Sequence, residues 1–490
     1  MEKAYSVALV DTENNRHYSA RVRINDTTDD HLVIDSGASK TAISSRAASE
    51  LRLISLGVSS SETAYGLAHD HIAVVDRLTL GNFSASTTTL LYSGQEGEQR
   101  SSLLASLLGL DFLTQYRVLM DFPAKQMYLV PAERKSVTVP FSKNTIYSMP
   151  FFDVRLTDGK VHMLGLSTNA RSMLDKSLTV GWPAVPVELD PSFKAGSRIL
   201  TSKMDLPTGK LPFGNTDFKM ADLHDLKQSL PLLDGIIGED LLSQCAVRLN
   251  FSRNQITFIT PGNVADTPFV SKNAIRIPLV LTDQGYSLSM LVDGKPATFV
   301  LSLLHNDMTL NSKALVDSLK PKAVETYIRK DTRARELLLH SLSVGDKQWT
   351  EPVVDDDSSS TGSEPNWLGT DFLHRFLATI DFAGQALYLE TDKDYKPDLT
   401  DNISVGIRPT LTSDGRIFVA QLSDPSSAKE ANVQIDDEIL EMNGKLVSKT
   451  SMDDISAEFK KPVGTVVTVL IQHKGDPKPR TVKLKIRKTL

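Results

Sequence analysis

The chain has 490 residues, 40% of them hydrophobic and 23% charged, a balance ordinary for a globular protein of roughly three or four domains. Its net charge of −6 gives no basic field for nucleic acid. No apolar run approaches the roughly 20 residues of a membrane-spanning helix. Residues 1–5 lack the apolar run of a signal peptide, so a cytoplasmic location and a bacterial envelope compartment both stay open.

Arg21-Val22-Arg23-Ile24 alternates as a strand does, and Leu32-Val33-Ile34 reads as a buried strand running into Asp35-Ser36-Gly37-Ala38. His69-Asp70-His71 invites a metal reading, but no third ligand stands at suitable spacing, and a solvated loop is expected there. No metal or cofactor is expected anywhere in the chain. Residues 73–80 alternate as a second strand, and Gly81-Asn82 reads as the hairpin turn after it. Cys245, the only cysteine, forms no internal disulfide and precedes an apolar strand, so it reads as core.

One pattern recurs. Leu107-Leu108-Gly109-Leu110-Asp111, Ile236-Ile237-Gly238-Glu239-Asp240 and Trp367-Leu368-Gly369-Thr370-Asp371 stand about 130 residues apart. Each is followed by Asp121-Phe122, Asn250-Phe251 or Asp381-Phe382 and then a short apolar strand. The period implies three related β-rich lobes, at 1–133, 134–263 and 264–393. The glycine permits close approach or a positive φ at a strand-to-helix junction. The aspartate two residues on is expected to cap the short helix. The acidic run that opens at Asp355-Asp356-Asp357 reads as a mobile surface loop.

Past residue 400 the pattern changes. Strands are expected at 403–407, 417–419, 436–442, 466–471 and 482–486. Ser423-Asp424-Pro425-Ser426 starts a short helix, Asn443-Gly444 makes a turn, and 451–459 reads as a helix.

Asp35-Ser36-Gly37-Ala38, followed by Tyr65-Gly66 and then Leu107-Leu108-Gly109, resembles the retropepsin-like aspartic peptidases. The resemblance implies a mainly β fold of acid-protease barrel lobes. It makes Asp35 the catalytic carboxylate, with Ser36 and Gly37 supporting it, and places Tyr65 and Gly66 in a flap hairpin over the substrate. Residues 400–490 resemble a bacterial-type PDZ domain, carried by the Ser-Asp-Pro-Ser-Ser-Ala segment, Asp437-Glu438-Ile439-Leu440 and Asn443-Gly444. Asn432 and Asp436 replace usual glycines, so an altered turn is expected. That resemblance implies a loop of Ser404, Val405, Gly406 and Ile407 for a peptide terminus, with Met452 and Ile455 completing an apolar pocket. A PDZ fold used only for packing is the other reading.

Such a peptidase needs two facing carboxylates. Aligned on the same scaffold, Ser167 and Ser302 stand where Asp35 stands, so the second and third lobes read as degenerate. The expected enzyme is therefore an endopeptidase in which two chains meet through the first lobe, each giving one Asp35. Its partners are a protein or peptide substrate and a second copy of the chain. A turn role for Asp35, and a catalytically silent peptide-binding adaptor, are the alternatives.

Overall fold

The computed structural model describes residues 4–488 apart from 12–16, 39, 56, 64–65, 94–105, 114–115, 132–134, 143–148, 184, 187–197, 207–208, 231, 261, 263, 265–266, 283, 330–331, 345–346, 351, 358–363, 396–402, 413–414 and 448–451. The chain is mainly β, and its sheets curl into barrel-like units.

The same local construction recurs three times. Strand Thr28–Ile34 runs parallel to Leu107–Leu108, and the Asp35 N–H donates to the Leu108 carbonyl at 3.1 Å. Strand Val161–Leu166 runs parallel to Gly235–Ile237, and the Ser167 N–H donates to Ile237 at 3.0 Å. Strand Lys295–Leu301 runs parallel to Asn366–Leu368, and the Ser302 N–H donates to Leu368 at 3.0 Å. Further along, the side chains of Asp121, Asn250 and Asp381 accept from the N–H three residues on, at 2.9, 3.0 and 2.8 Å. Lys125, Asn254 and Gln385 then close each turn at positive φ.

The recurring glycines serve close approach, not a positive φ. A Cβ on Gly109, Gly238 or Gly369 would stand 2.5, 2.0 or 2.4 Å from backbone atoms of the loop after the preceding strand. Gly238 and Gly369 themselves occupy the N-cap positions of helices Glu239–Leu242 and Thr370–Leu373. The aspartates expected to cap these helices sit in the first turn instead. Asp240 reaches back to accept from the Ser172 N–H and hydroxyl at 2.8 and 2.7 Å, pinning the same loop. The helix begins two residues early because only glycine lets the chain pass so close to that loop.

The middle and third units fuse. Strands Lys135–Pro140, Gln255–Thr260 and Ala246–Asn250 join Phe376–Asp381, Ala386–Thr391 and Ile275–Pro278 in one six-stranded sheet. The junction is an antiparallel ladder from Ala246↔Asp381 to Asn250↔Leu377, with Arg248 opposite Thr379 at its centre. One hydrophobic core runs through both units, from Val139 to Leu389, and Cys245 is fully buried in it. Burial pushes its thiol pKa up. The N-terminal unit has its own core around Val22, Leu32 and Leu80.

Two acidic stretches depart from expectation. Asp355 and Asp356 are not loop but the end of strand Val353–Asp356, both buried; Arg335 lies opposite Asp356 and ion-pairs with it. A guanidinium in register makes buried carboxylates tolerable. His69-Asp70-His71 lies within strand Gly66–Leu80, with Asp70 buried and the His71 ring stacked on Tyr92. Gly81-Asn82 does turn that strand back, with Leu80 opposite Phe83.

The C-terminal unit is a small barrel with a separate core around Val405, Val419, Ile455 and Val469. Ser426 caps helix Ser427–Glu430, accepting from the Lys429 N–H at 3.0 Å. Asn432 and Asp436 both hold φ near +60°, at 56° and 64°. The turn is therefore not altered: asparagine and aspartate bear the left-handed conformation that glycine would take.

The glycine constraint is testable. Gly238→Ala meets the Ala170 carbonyl, a backbone atom with nowhere to go, and should lower unfolding stability by about 2–4 kcal/mol. Denaturant titration measures it; an unchanged midpoint would dismiss the close-approach argument.

Candidate active site

Asp35 follows the strand end, half-buried. Its Oδ1 accepts the Gly37 N–H at 2.8 Å, the one side-chain hydrogen bond it makes among the described residues. Ala38 accepts from Leu110, and the Thr41 hydroxyl accepts the Gly109 N–H at 3.1 Å, so the loop is strapped to the glycine junction. Ser36 and Gly37 are exposed. The hairpin of Gly57–Thr63 and Gly66–Leu80 closes with Thr63 opposite Gly66. Gly66 therefore opens its return strand, and Tyr65 lies outside the described residues.

The equivalent loops of the other two units are built alike but carry hydroxyls. Ser167 Oγ accepts the Asn169 N–H at 3.3 Å, and Ser302 Oγ accepts from Leu304 and His305 at 3.3 Å each. Each serine thus keeps the turn-forming bond of Asp35 and drops the charge. Ser302 also lies 2.8 Å from His305 Nδ1, whose ring stacks on Trp367. Burial lowers the His305 pKa. Ser302 is 1% exposed and occupied by its turn bonds, which leaves no nucleophile aimed at a cleft.

The middle and third loops lock together. Thr168 Oγ1, fully buried, donates to the Leu301 carbonyl across the unit boundary at 2.6 Å, and Asn169 Nδ2 donates to Gln284 at 2.9 Å. Ser36 is the counterpart of Thr168. Sequence reading could not find this bond, because nothing in Ser-Thr-Asn names the strand that accepts it.

In the C-terminal unit, Gly406 sits at φ 89°, its N–H held by Ser404 Oγ at 2.7 Å and its carbonyl by Ser423 at 3.0 Å. Val405, Ile407 and Ile455 are buried in the core of this unit. Met452 begins the helix Met452–Phe459, but its side chain lies outside the described residues. Among the described residues, strand Ile407–Leu411 pairs with Ile417–Ser423 on one side only. The bonds from Ser423 to Gly406 and from Thr412 to Arg416 fix the alternation of that ladder. Ile407, Pro409 and Leu411 therefore point their backbone groups to the open edge. Pro409 has no N–H to offer there. That gap was legible in the sequence only once the strand's pairing side was known.

Asp437 is fully buried beneath this unit and accepts from the Gln434 N–H at 2.9 Å, with His473 Nδ1 at 2.7 Å.

A family described as "gag-polyprotein putative aspartyl protease" matches residues 20–115, which contain Asp35 and Gly109. A PDZ domain family matches residues 398–472. No curated protein sequence matches. Among solved structures, basic 7S globulin from soybean is similar at 11% identity and TM-score 0.34, over 54% of this chain and 100% of that one. A retropepsin-like aspartic protease from Rickettsia conorii is similar at 13% identity and TM-score 0.20, over 26% of this chain and 92% of that one. At those TM-scores neither structure carries an argument. The two family matches fall on the two loops built above, so the chain carries a retropepsin-like aspartyl protease domain toward its N-terminus and a PDZ domain at its C-terminus.

Proposed function

We propose that the protein is an aspartic endopeptidase whose active site forms when two copies meet through their N-terminal lobes, each supplying one Asp35. In this reading residues 1–133, 134–263 and 264–393 are three copies of one lobe, the second and third degenerate, and 400–490 is the peptide-recognising PDZ domain.

The observation that carries the reading is an open strand edge. The N-terminal unit builds the same three-strand sheet as the others, ordered Tyr5–Asp11, Gln126–Pro131, Tyr116–Asp121. In the other two units the third strand of this set pairs across the boundary. Tyr116–Asp121 pairs only inward among the described residues, and its outer edge is open. Leu119 on it is 62% exposed, with Val118 and Phe122 exposed beside it. Open apolar edges are ordinarily shielded or paired. Transferring the Arg248–Thr379 centre to this strand sets Leu119 opposite Leu119 of the partner subunit, on a two-fold axis.

Ser36 then takes the place of Thr168. Its hydroxyl would donate to the Ile34 carbonyl of the partner subunit, holding the two Asp35 carboxylates face to face. Two carboxylates at such range share one proton. The ionised one takes a proton from water as the water attacks the scissile carbonyl, and the protonated one donates to the carbonyl oxygen. The flap hairpin would exclude solvent. A serine hydroxyl cannot act as that base, which is why the paired middle and third lobes are not assigned the chemistry.

A second reading, a silent peptide-binding adaptor, is favoured by the loss of the carboxylate at Ser167 and Ser302. The two readings separate on one experiment. Asp35→Asn should lower kcat/KM for peptide cleavage on the order of a thousandfold with the fold unchanged. Absence of cleavage by the intact dimer would leave the adaptor. Leu119→Lys places two ammonium groups on the axis; sedimentation should then show the monomer, and activity should vanish with the dimer. A variant that cuts peptide as a monomer would end the two-chain site.

The PDZ edge gives its own expectation. An extended peptide laid along Ile407–Leu411 finds no donor at Pro409. Pro409→Ala should tighten binding of a C-terminal peptide by about 0.5–1.5 kcal/mol, read by fluorescence polarisation. Unchanged affinity would mean that peptides do not add to this edge.

A further inference from the structure

A row of apolar side chains leads away from Asp35 on one face of its sheet. In Thr28–Ile34, Leu32 is fully buried in the core of the N-terminal unit and Ile34 packs on that core, so Val33 projects to the opposite face. Asp35, two residues on, emerges on the Val33 side. Leu107 is the register partner of Val33, Ala42 that of Leu107, and Leu91 that of Ala42. Their neighbours Leu108, Ile43, Leu90 and Tyr92 all face the core. Register partners share a face, so Val33, Leu107, Ala42 and Leu91 line up across four strands beside the catalytic loop.

The far end of this row is already covered, and by the same chain. Val280 of the third unit, 4% exposed, packs on Leu91 and Ala42 in a small cluster separate from every other core. Its strand, Val280–Thr282, lies beside the flap strand Gly57–Thr63. Lys40, two residues before Ala42, also acts electrostatically on the half-buried Glu239 of the middle unit. Burial pushes that carboxyl's pKa up, and Arg171 and Lys40 pull against it.

We propose that Val280, seated on the Ala42–Leu91 end of this row, is an intramolecular block in the resting chain, which an extended peptide must displace to lie along the row. The proposal rests on the peptidase reading of Asp35. It names the segment that must leave before a peptide enters. Alanine at 42 and the leucines around it leave room for a branched aliphatic group and offer no polar partner.

The test compares the intact protein with Val280→Ser and Val280→Ala. The probe is a fluorescein-labelled hexapeptide of valine and leucine whose central amide is reduced to CH2–NH. Val280→Ser should bind it about tenfold tighter than the unaltered chain, and Val280→Ala should shift affinity the same way by less. The alanine variant keeps the contact apolar and decides the matter if the serine variant melts early. Equal or weaker binding by both variants overturns the block. A hydrolysable peptide of the same sequence separates this idea from the one beneath it. Tighter binding without Asp35-dependent cleavage removes the peptidase reading and leaves the block standing. Asp35-dependent cleavage at equal rate and affinity in all three proteins removes the block and leaves the peptidase.

Discussion

A three-stranded sheet with one unpaired edge is the constraint on which the rest of this structure depends. The edge exposes N–H and C=O groups that need partners. Within the chain, Ala246–Asn250 and Phe376–Asp381 satisfy each other, and one shared core follows from that ladder. The fused pair leaves the third set, in the N-terminal unit, without an internal mate among the described residues. The unit whose edge stays open is the unit that keeps Asp35.

The loops at Ser167 and Ser302 keep the turn of Asp35 without its charge. Asp35 does two things: it accepts the Gly37 N–H and it carries a charge. Ser167 and Ser302 retain the first function through Oγ and omit the second. Around them, apolar and hydroxyl groups close the site. Thr168 and Leu303 are fully buried, where Ser36 is exposed. A buried carboxylate without a partner would be costly at that boundary, and a hydroxyl bonded within its own turn is not.

How much of this was legible in the sequence depended on whether the deciding contact was local. The glycines at 109, 238 and 369 could be read because each marks a junction within one unit. Gly81-Asn82 could be read for the same reason. The role of the following aspartates could not, since Asp240 answers to Ser172, far away in the chain. Asp355 and Asp356 looked like a loop because charge runs are usually solvated; Arg335 on the neighbouring strand makes them a buried strand end. Val280 gave no signal at all. It is one valine in an alternating strand, and only the docking of one unit on another sets it over Ala42 and Leu91.

The C-terminal unit is not a free appendage. Strand Lys322–Arg329 of the third unit pairs with Ile417–Ser423, from Tyr327↔Ser423 to Arg329↔Gln421. The Asp424 N–H donates to Thr326 at 2.8 Å, and Arg408 ion-pairs with Glu336 at 2.9 Å. One sheet therefore runs from the hairpin of the third unit through to strand Ile407–Leu411. A peptide laid on the open edge of that strand extends the same sheet by one more strand. Its binding free energy then bears on the hairpin through backbone hydrogen bonds, without a hinge between them. The third unit also carries Val280, so the segment seated on Ala42 and Leu91 and the open edge of Ile407–Leu411 belong to one packed body.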